Sequence, residues 1–143
     1  MARKGLRYVF IQFSAIFILL LFSPWQSLSW FTIFYVSATM LGFWAIWTIR
    51  KSKLSIFPEL EQGASLVQNG PYRFVRHPMY FAILLFFIPC IIHAVSLLPW
   101  AVYGLLVINL IFKMQYEEEL LRKEFKEYKQ YAEHTYYMIP FIY

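Results

Sequence analysis

The chain contains no aspartate and a single cysteine, and two long stretches carry no ionised side chain at all. Its eight acidic residues are all glutamates, and all lie outside those stretches. A small four-helix exporter that couples transport to protons needs a carboxylate within a membrane span, so this absence counts against that class. One thiol, Cys90, excludes an intramolecular disulfide and a paired-thiol metal site, and its apolar neighbours make it a packing group. His93 and His134 have no partner at metal-ligand spacing, so no zinc signature is present. No glycine-rich dinucleotide fingerprint occurs either, although membrane reductases need not carry one, and that class stays open.

What is present is mostly apolar. The composition is 60% hydrophobic, 22% aromatic and 15% charged, with mean hydropathy +0.51, which is far beyond an ordinary soluble domain. Tyr8 to Ile49 runs 42 residues without charge and His77 to Phe112 runs 36. A helix crosses about 30 Å of hydrocarbon in about 20 residues, so each run suits two crossings. The prediction is an all-α integral membrane protein, one domain over residues 1–143. Its four transmembrane helices, near 8–23, 29–49, 78–93 and 98–116, form two hairpins. Ser23-Pro24-Trp25-Gln26-Ser27 breaks the first run, and His93 to Trp100, with Pro99, breaks the second.

All 13 Lys and Arg residues fall in three places: Arg3, Lys4 and Arg7; Arg50 to Arg76; and Lys113 to Lys129. With four spans these share one side, and the positive-inside rule makes it cytoplasmic, with both termini. The net charge of +5 is read as attraction to anionic lipid rather than to nucleic acid, because the cations flank apolar spans. The first helix has the basic start and apolar core of a signal peptide. Ser23-Pro24-Trp25 is a poor cleavage site, so it is read as permanent. The segment 50–77, with Pro58, Gly63 and Gly70, is expected to be a cytosolic connection of functional length. Over 117–143 an amphipathic helix is expected to continue from the fourth span into the cytosol, followed by a tail. Leu120, Leu121, Phe125, Tyr128 and Tyr131 mark its apolar face, while Glu118/Arg122 and Glu119/Lys123 pair along its polar one.

The most informative run is Gly70-Pro71-Tyr72-Arg73-Phe74-Val75-Arg76-His77-Pro78-Met79-Tyr80, answered by Glu117-Glu118-Glu119. Both groups sit at the same edge of a predicted span. Proline suits the first turn of a helix, so Arg76-His77-Pro78 marks the start of the third span. Its unpaired N–H groups, with Arg76 and Arg73 beside them, suit an anionic ligand group, although either arginine could instead reach lipid phosphate. His77 and Tyr80 fall three apart on one helix face. A solvated face explains Glu118 and Glu119 well. Glu117 has no cation four residues on, only Lys113 one turn back, and could accept hydrogen bonds from ribose hydroxyls or an amino group.

The ordered set Gly70-x-Tyr72, Arg76-His77-Pro78-x-Tyr80, Glu117-Glu118-x-Leu120, Phe125, Glu127-Tyr128-x-x-Tyr131 and Ile139-Pro140 resembles the isoprenylcysteine carboxyl methyltransferases and their phospholipid methyltransferase relatives. The similarity covers roughly residues 60–143. It implies an enzyme of the inner membrane that uses S-adenosyl-L-methionine on the cytosolic side. By position, Leu66, Val67, Tyr72, His77, Tyr80, Glu117 and Glu118 are implied as cofactor contacts, Arg76, His77 and Glu117 as catalytic, and Lys113 as substrate-binding; no metal is implied. Ala82, Lys126 and Lys113 depart from the family pattern. The last matters most, since a lysine is a point charge where arginine grips a carboxylate with two donors.

The implied reaction is carboxylate O-methylation of a lipophilic acceptor of the isoprenylcysteine type, with a phospholipid or other lipid amine as the alternative. A nicotinamide-dependent reductase, a small transporter and a noncatalytic scaffold are the rivals from other classes. Alignment of the reacting groups would supply most of the rate. A carboxylate needs no base, whereas an amine must first lose a proton, for which His77 or Glu117 is available. The acceptor is expected to enter sideways from the bilayer.

Overall fold

The computed structural model describes residues 2–24, 30–50, 52 and 65–139. The predicted break at Trp25-Gln26-Ser27, and Pro58, Gly63 and Pro140, lie outside the described residues. Among the described residues five α-helices follow one another: α1 (Ala2–Phe22), α2 (Thr32–Ile49), α3 (Pro78–Ile92), α4 (Leu97–Glu124) and α5 (Tyr128–Glu133). A 3-10 turn, Gly70–Arg73, leads into α3, and among the described residues there is no strand. Of the described helices three, α1, α2 and α4, are long and apolar enough to cross a membrane. With 15 residues, α3 is only about 22 Å long, short of the hydrocarbon thickness by itself.

Most boundaries lie close to the expected ones, and the exceptions have physical causes. Ala2 begins α1, ahead of the apolar stretch, because Arg3, Lys4 and Arg7 limit hydrophobicity without breaking a helix. Past 116, α4 continues to Glu124. The helix expected to continue from the fourth span does so, but Phe125, with φ −110° and ψ 111°, ends it short of the expected run through Tyr131. Only six residues, α5, become helical again. The tail then turns back beside the entry to α3, where Val75 and Tyr136 form a parallel bridge. The Arg76 and His77 N–H groups donate to the Tyr136 and Tyr137 carbonyls at 2.9 and 3.0 Å. These two N–H groups, which precede the first turn of α3, are thus taken by the chain's own tail.

Ladders of contacts show antiparallel neighbours. Phe31 meets His93 and Tyr35 meets Phe86 across α2 and α3. Tyr103 on α4 donates to the Leu84 carbonyl on α3, and Tyr8 on α1 faces Tyr116 on α4. The start of α1, the ends of α2 and α4 and the start of α3 accordingly share one end of the bundle. Leu19, Phe87, Cys90, Leu106, Leu110 and Met114 fill the core. By contrast α2 buries only Ala38 and Ala45, while Ile33, Val36, Met40, Phe43 and Trp47 are exposed. A helix that is apolar all round is stable only where lipid covers it. Gly70, at φ 58°, abuts α2 so closely that a Cβ there would stand 2.6 Å from Thr48 Oγ1. That contact fixes the turn carrying Tyr72.

Candidate active site at the polar end of the bundle

Proline 78 starts α3 and His77 is its N-cap residue, so the His77 and Tyr80 rings emerge one turn apart. They share one face, as their spacing predicts, and stack at 5.3 Å with planes 4° apart. The apolar run of α4 ends at Phe112, and its charged extension brings Glu117 and Glu118 to these rings. Tyr80 OH donates to Glu117, 2.6 Å from each carboxylate oxygen, and His77 Nδ1 lies 3.6 Å from Glu117 Oε2.

Glu118 is the hub of the cluster. Its Oε1 accepts from Arg76 Nε at 2.8 Å and Tyr128 OH at 2.6 Å, with His77 Nε2 at 3.2 Å. At 4% exposure it is no part of a solvated face, which corrects the reading of its i,i+4 pattern. Arg122 does approach Glu118 Oε2, at 3.6 Å, but Glu119 is the exposed member. Adjacent residues on a helix point about 100° apart, so one of three consecutive glutamates must face away from the bundle. Among the described residues no hydrogen-bond donor reaches the buried Glu118 Oε2.

Arg76 spends its donors on the chain itself. Besides Glu118, its Nη1 meets the Ala132 carbonyl at 3.0 Å, the Thr135 carbonyl and Thr135 Oγ1, and its guanidinium lies 4.0 Å over the Tyr137 ring. It therefore closes the C-terminal end of α5 and fastens the tail to α3. Tyr131 OH donates to the Tyr72 carbonyl at 2.6 Å, a second fastening of the same layer. Burial pushes the phenols of Tyr72, Tyr128 and Tyr131 well above their ordinary range. The Glu118 charge adds to this for Tyr128, and Arg76 opposes it for Tyr131. All three stay neutral at pH 7, and Tyr128 and Tyr131 donate.

Lys113, almost wholly buried, donates to Gln12 Oε1 at 3.0 Å and lies 4.0 Å from Glu117 Oε1. Leu66 and Val67 are half-buried in the irregular stretch before the turn, and among the described residues no hydrogen bond ties them to the cluster. Tyr72 is buried close enough for its phenol to sense Glu117. Beside the cluster, a polar cleft of about 470 Å³ is lined by Gln68, Arg73, Glu127, Tyr131 and Thr135 among others. Cys90 lies deep in the core and His93 packs on Phe31, both away from this end, while His134 is exposed on the rim of the cleft.

A profile described as phospholipid methyltransferase matches residues 31–128, from the start of α2 to the first residue of α5. The chain belongs to this family. This phospholipid methyltransferase family member therefore carries the motifs its sequence resembles, and the matched region holds the whole His77, Tyr80, Glu117 and Glu118 cluster. No match was found among curated proteins. Sequence reasoning overlooked Gln12, Thr135 and Tyr137. Gln12 was detectable as a carboxamide within the uncharged run that begins at Tyr8, where polar groups need a partner. The other two carried no such mark.

Proposed function

We propose that this membrane methyltransferase moves a methyl group from S-adenosylmethionine to a lipophilic acceptor at the polar end of the bundle. The carrying observation is the packing of two carboxylates, Glu118 buried and Glu117 half-buried, against His77 and Tyr80, from positions 37 and 41 residues away. The residues suit the cofactor: the donorless Glu118 Oε2 and the Glu117 carboxylate can accept from hydroxyl or ammonium groups, and the Tyr72, His77 and Tyr80 rings can line a nucleoside. When bound, S-adenosylmethionine supplies an activated methyl group on a cationic sulfonium, which nearby carboxylates favour. Glu117, with a side chain 17% exposed, is the more reachable carboxylate. The polar cleft beside Tyr131 and Thr135 offers a route from water, and the apolar sides of the bundle offer one from lipid.

In this reading Arg76 is a positioning residue, since its donors already hold Glu118 and the tail. The chain's own contribution is orientation and exclusion of water. A carboxylate acceptor needs no proton transfer. An amine acceptor is the second reading, favoured by the family's phospholipid description and by Glu117, which stands where it could take a proton from an ammonium group. We also infer four crossings with both termini cytoplasmic, α3 being extended to full thickness by its flanks.

Calorimetric titration of the detergent-purified protein with S-adenosylhomocysteine and, separately, NADPH tests the class. Binding of the first alone is expected, and binding of NADPH alone would select a reductase. His77→Ala and Glu117→Ala are expected to weaken S-adenosylhomocysteine at least tenfold while Cys90→Ala leaves it unchanged. Unaltered affinity in both site variants would move the pocket elsewhere.

A further inference from the structure

Gln12 lies on α1, outside the stretch that matches the family, yet it makes the direct hydrogen bond to the buried ammonium of Lys113. An ammonium has three N–H donors, and Gln12 Oε1 at 3.0 Å takes one. Glu117 Oε1, at 4.0 Å, is beyond hydrogen-bond reach, and the Tyr80 ring face, 5.2 Å away, offers only a cation–π contact. Lys113 is 1% exposed, so bulk solvent does not reach its ammonium. Its helix position is fixed from both sides: Asn109 Nδ2 donates to the Tyr8 carbonyl at 3.0 Å, and Tyr8 and Tyr116 face one another at 6.1 Å. A buried cation with donors to spare, set at the inner rim of the cluster beside apolar helices, matches an oxyanion carried by a lipid chain.

We propose that Gln12 is a positioning residue that fixes the Lys113 ammonium for the carboxylate or phosphate oxygen of the lipophilic acceptor, which makes α1 a determinant of acceptor choice. The inference rests on the methyltransferase reading. A neutral carboxamide suits this task because it orients the cation without cancelling it, whereas a carboxylate at position 12 would pair with Lys113 and repel the acceptor.

The test measures dissociation constants in detergent for two matched pairs of probes: farnesylcysteine against its carboxamide, and lysophosphatidylethanolamine against sphingosine. The proteins are the wild type, Gln12→Leu and Gln12→Glu, each first titrated with S-adenosylhomocysteine. Gln12→Glu is expected to weaken the anion-bearing member of one pair at least tenfold and Gln12→Leu about threefold. The uncharged or phosphate-free member and S-adenosylhomocysteine should stay within twofold. A change confined to the farnesyl pair identifies a carboxylate acceptor, and one confined to the second pair identifies a phosphate. A purely architectural Gln12 would alter thermal stability but leave both preference ratios where they were, and that result overturns the inference. Wild-type protein that fails to bind S-adenosylhomocysteine would instead remove the methyltransferase reading.

Discussion

Replacing Glu118 tests whether the cluster is an assembled unit. Its Oε1 accepts from Arg76 at 2.8 Å and Tyr128 at 2.6 Å, with His77 at 3.2 Å, and the side chain is 5% exposed. Hydrogen bonds to a charged partner contribute about 1.5–3 kcal/mol, against about 0.5–1.5 kcal/mol for neutral ones. Glu118→Gln keeps the shape and one oxygen but removes the charge, a loss of roughly 1 kcal/mol per donor and about 2–3 kcal/mol in all. Glu118→Ala also strands the buried Arg76 guanidinium, which raises the loss to about 3–5 kcal/mol. Unfolding in mixed detergent micelles, followed by tryptophan fluorescence, measures both. Glu119→Gln, at an exposed position one residue on, should stay within about 0.5 kcal/mol of wild type. The Arg76→Met/Glu118→Gln double variant should lose less than the sum of the singles, by about 0.5–3 kcal/mol. Strict additivity, or a Glu118→Gln variant as stable as Glu119→Gln, would show that the contacts do not hold the site together.

Gly70→Ala is expected to cost about 1–3 kcal/mol, because φ is 58° and the new Cβ would meet Thr48 Oγ1 at 2.6 Å. Gly104→Ala, in open space on α4, should be neutral or stabilising in the same unfolding measurement. The raised phenols give an alkaline limit. Tyr72, Tyr128 and Tyr131 bind their protons more tightly folded than unfolded, so their contribution is whole below about pH 10 and is lost as pH rises further. Three such groups give a slope of about 4 kcal/mol per pH unit. Tyr128→Phe should reduce that slope by about a third, and an equal slope in both proteins between pH 10 and 11.5 would contradict the assignment. In a Cys90→Ala background, thiols placed at Val95 and Lys129 should react with an impermeant maleimide from opposite faces of the membrane. Labelling from one face would refute four crossings.

Periodicity and charge made the helices legible, because a long uncharged run has few fates outside lipid and proline marks where α3 can begin. That His77 and Tyr80 share one face followed from spacing within one turn. Local pattern misjudged the glutamates, since Glu118 and Arg122 satisfy an i,i+4 surface rule whether or not the first of them is buried. The tail was also invisible: the Ala132 and Thr135 carbonyls that Arg76 grips are backbone groups, which leave no trace in side-chain pattern.

The order of amino acids alone determined that this protein is helical, belongs in a bilayer and groups its polar residues at helix ends, because hydrophobic length and breakers act locally. Which glutamate became the buried hub, that Arg76 fastens the tail, and that Gln12 meets Lys113 across 101 residues were decided only in three dimensions. Burial and donor geometry depend on which faces of separate helices meet, and no single stretch of chain encodes that.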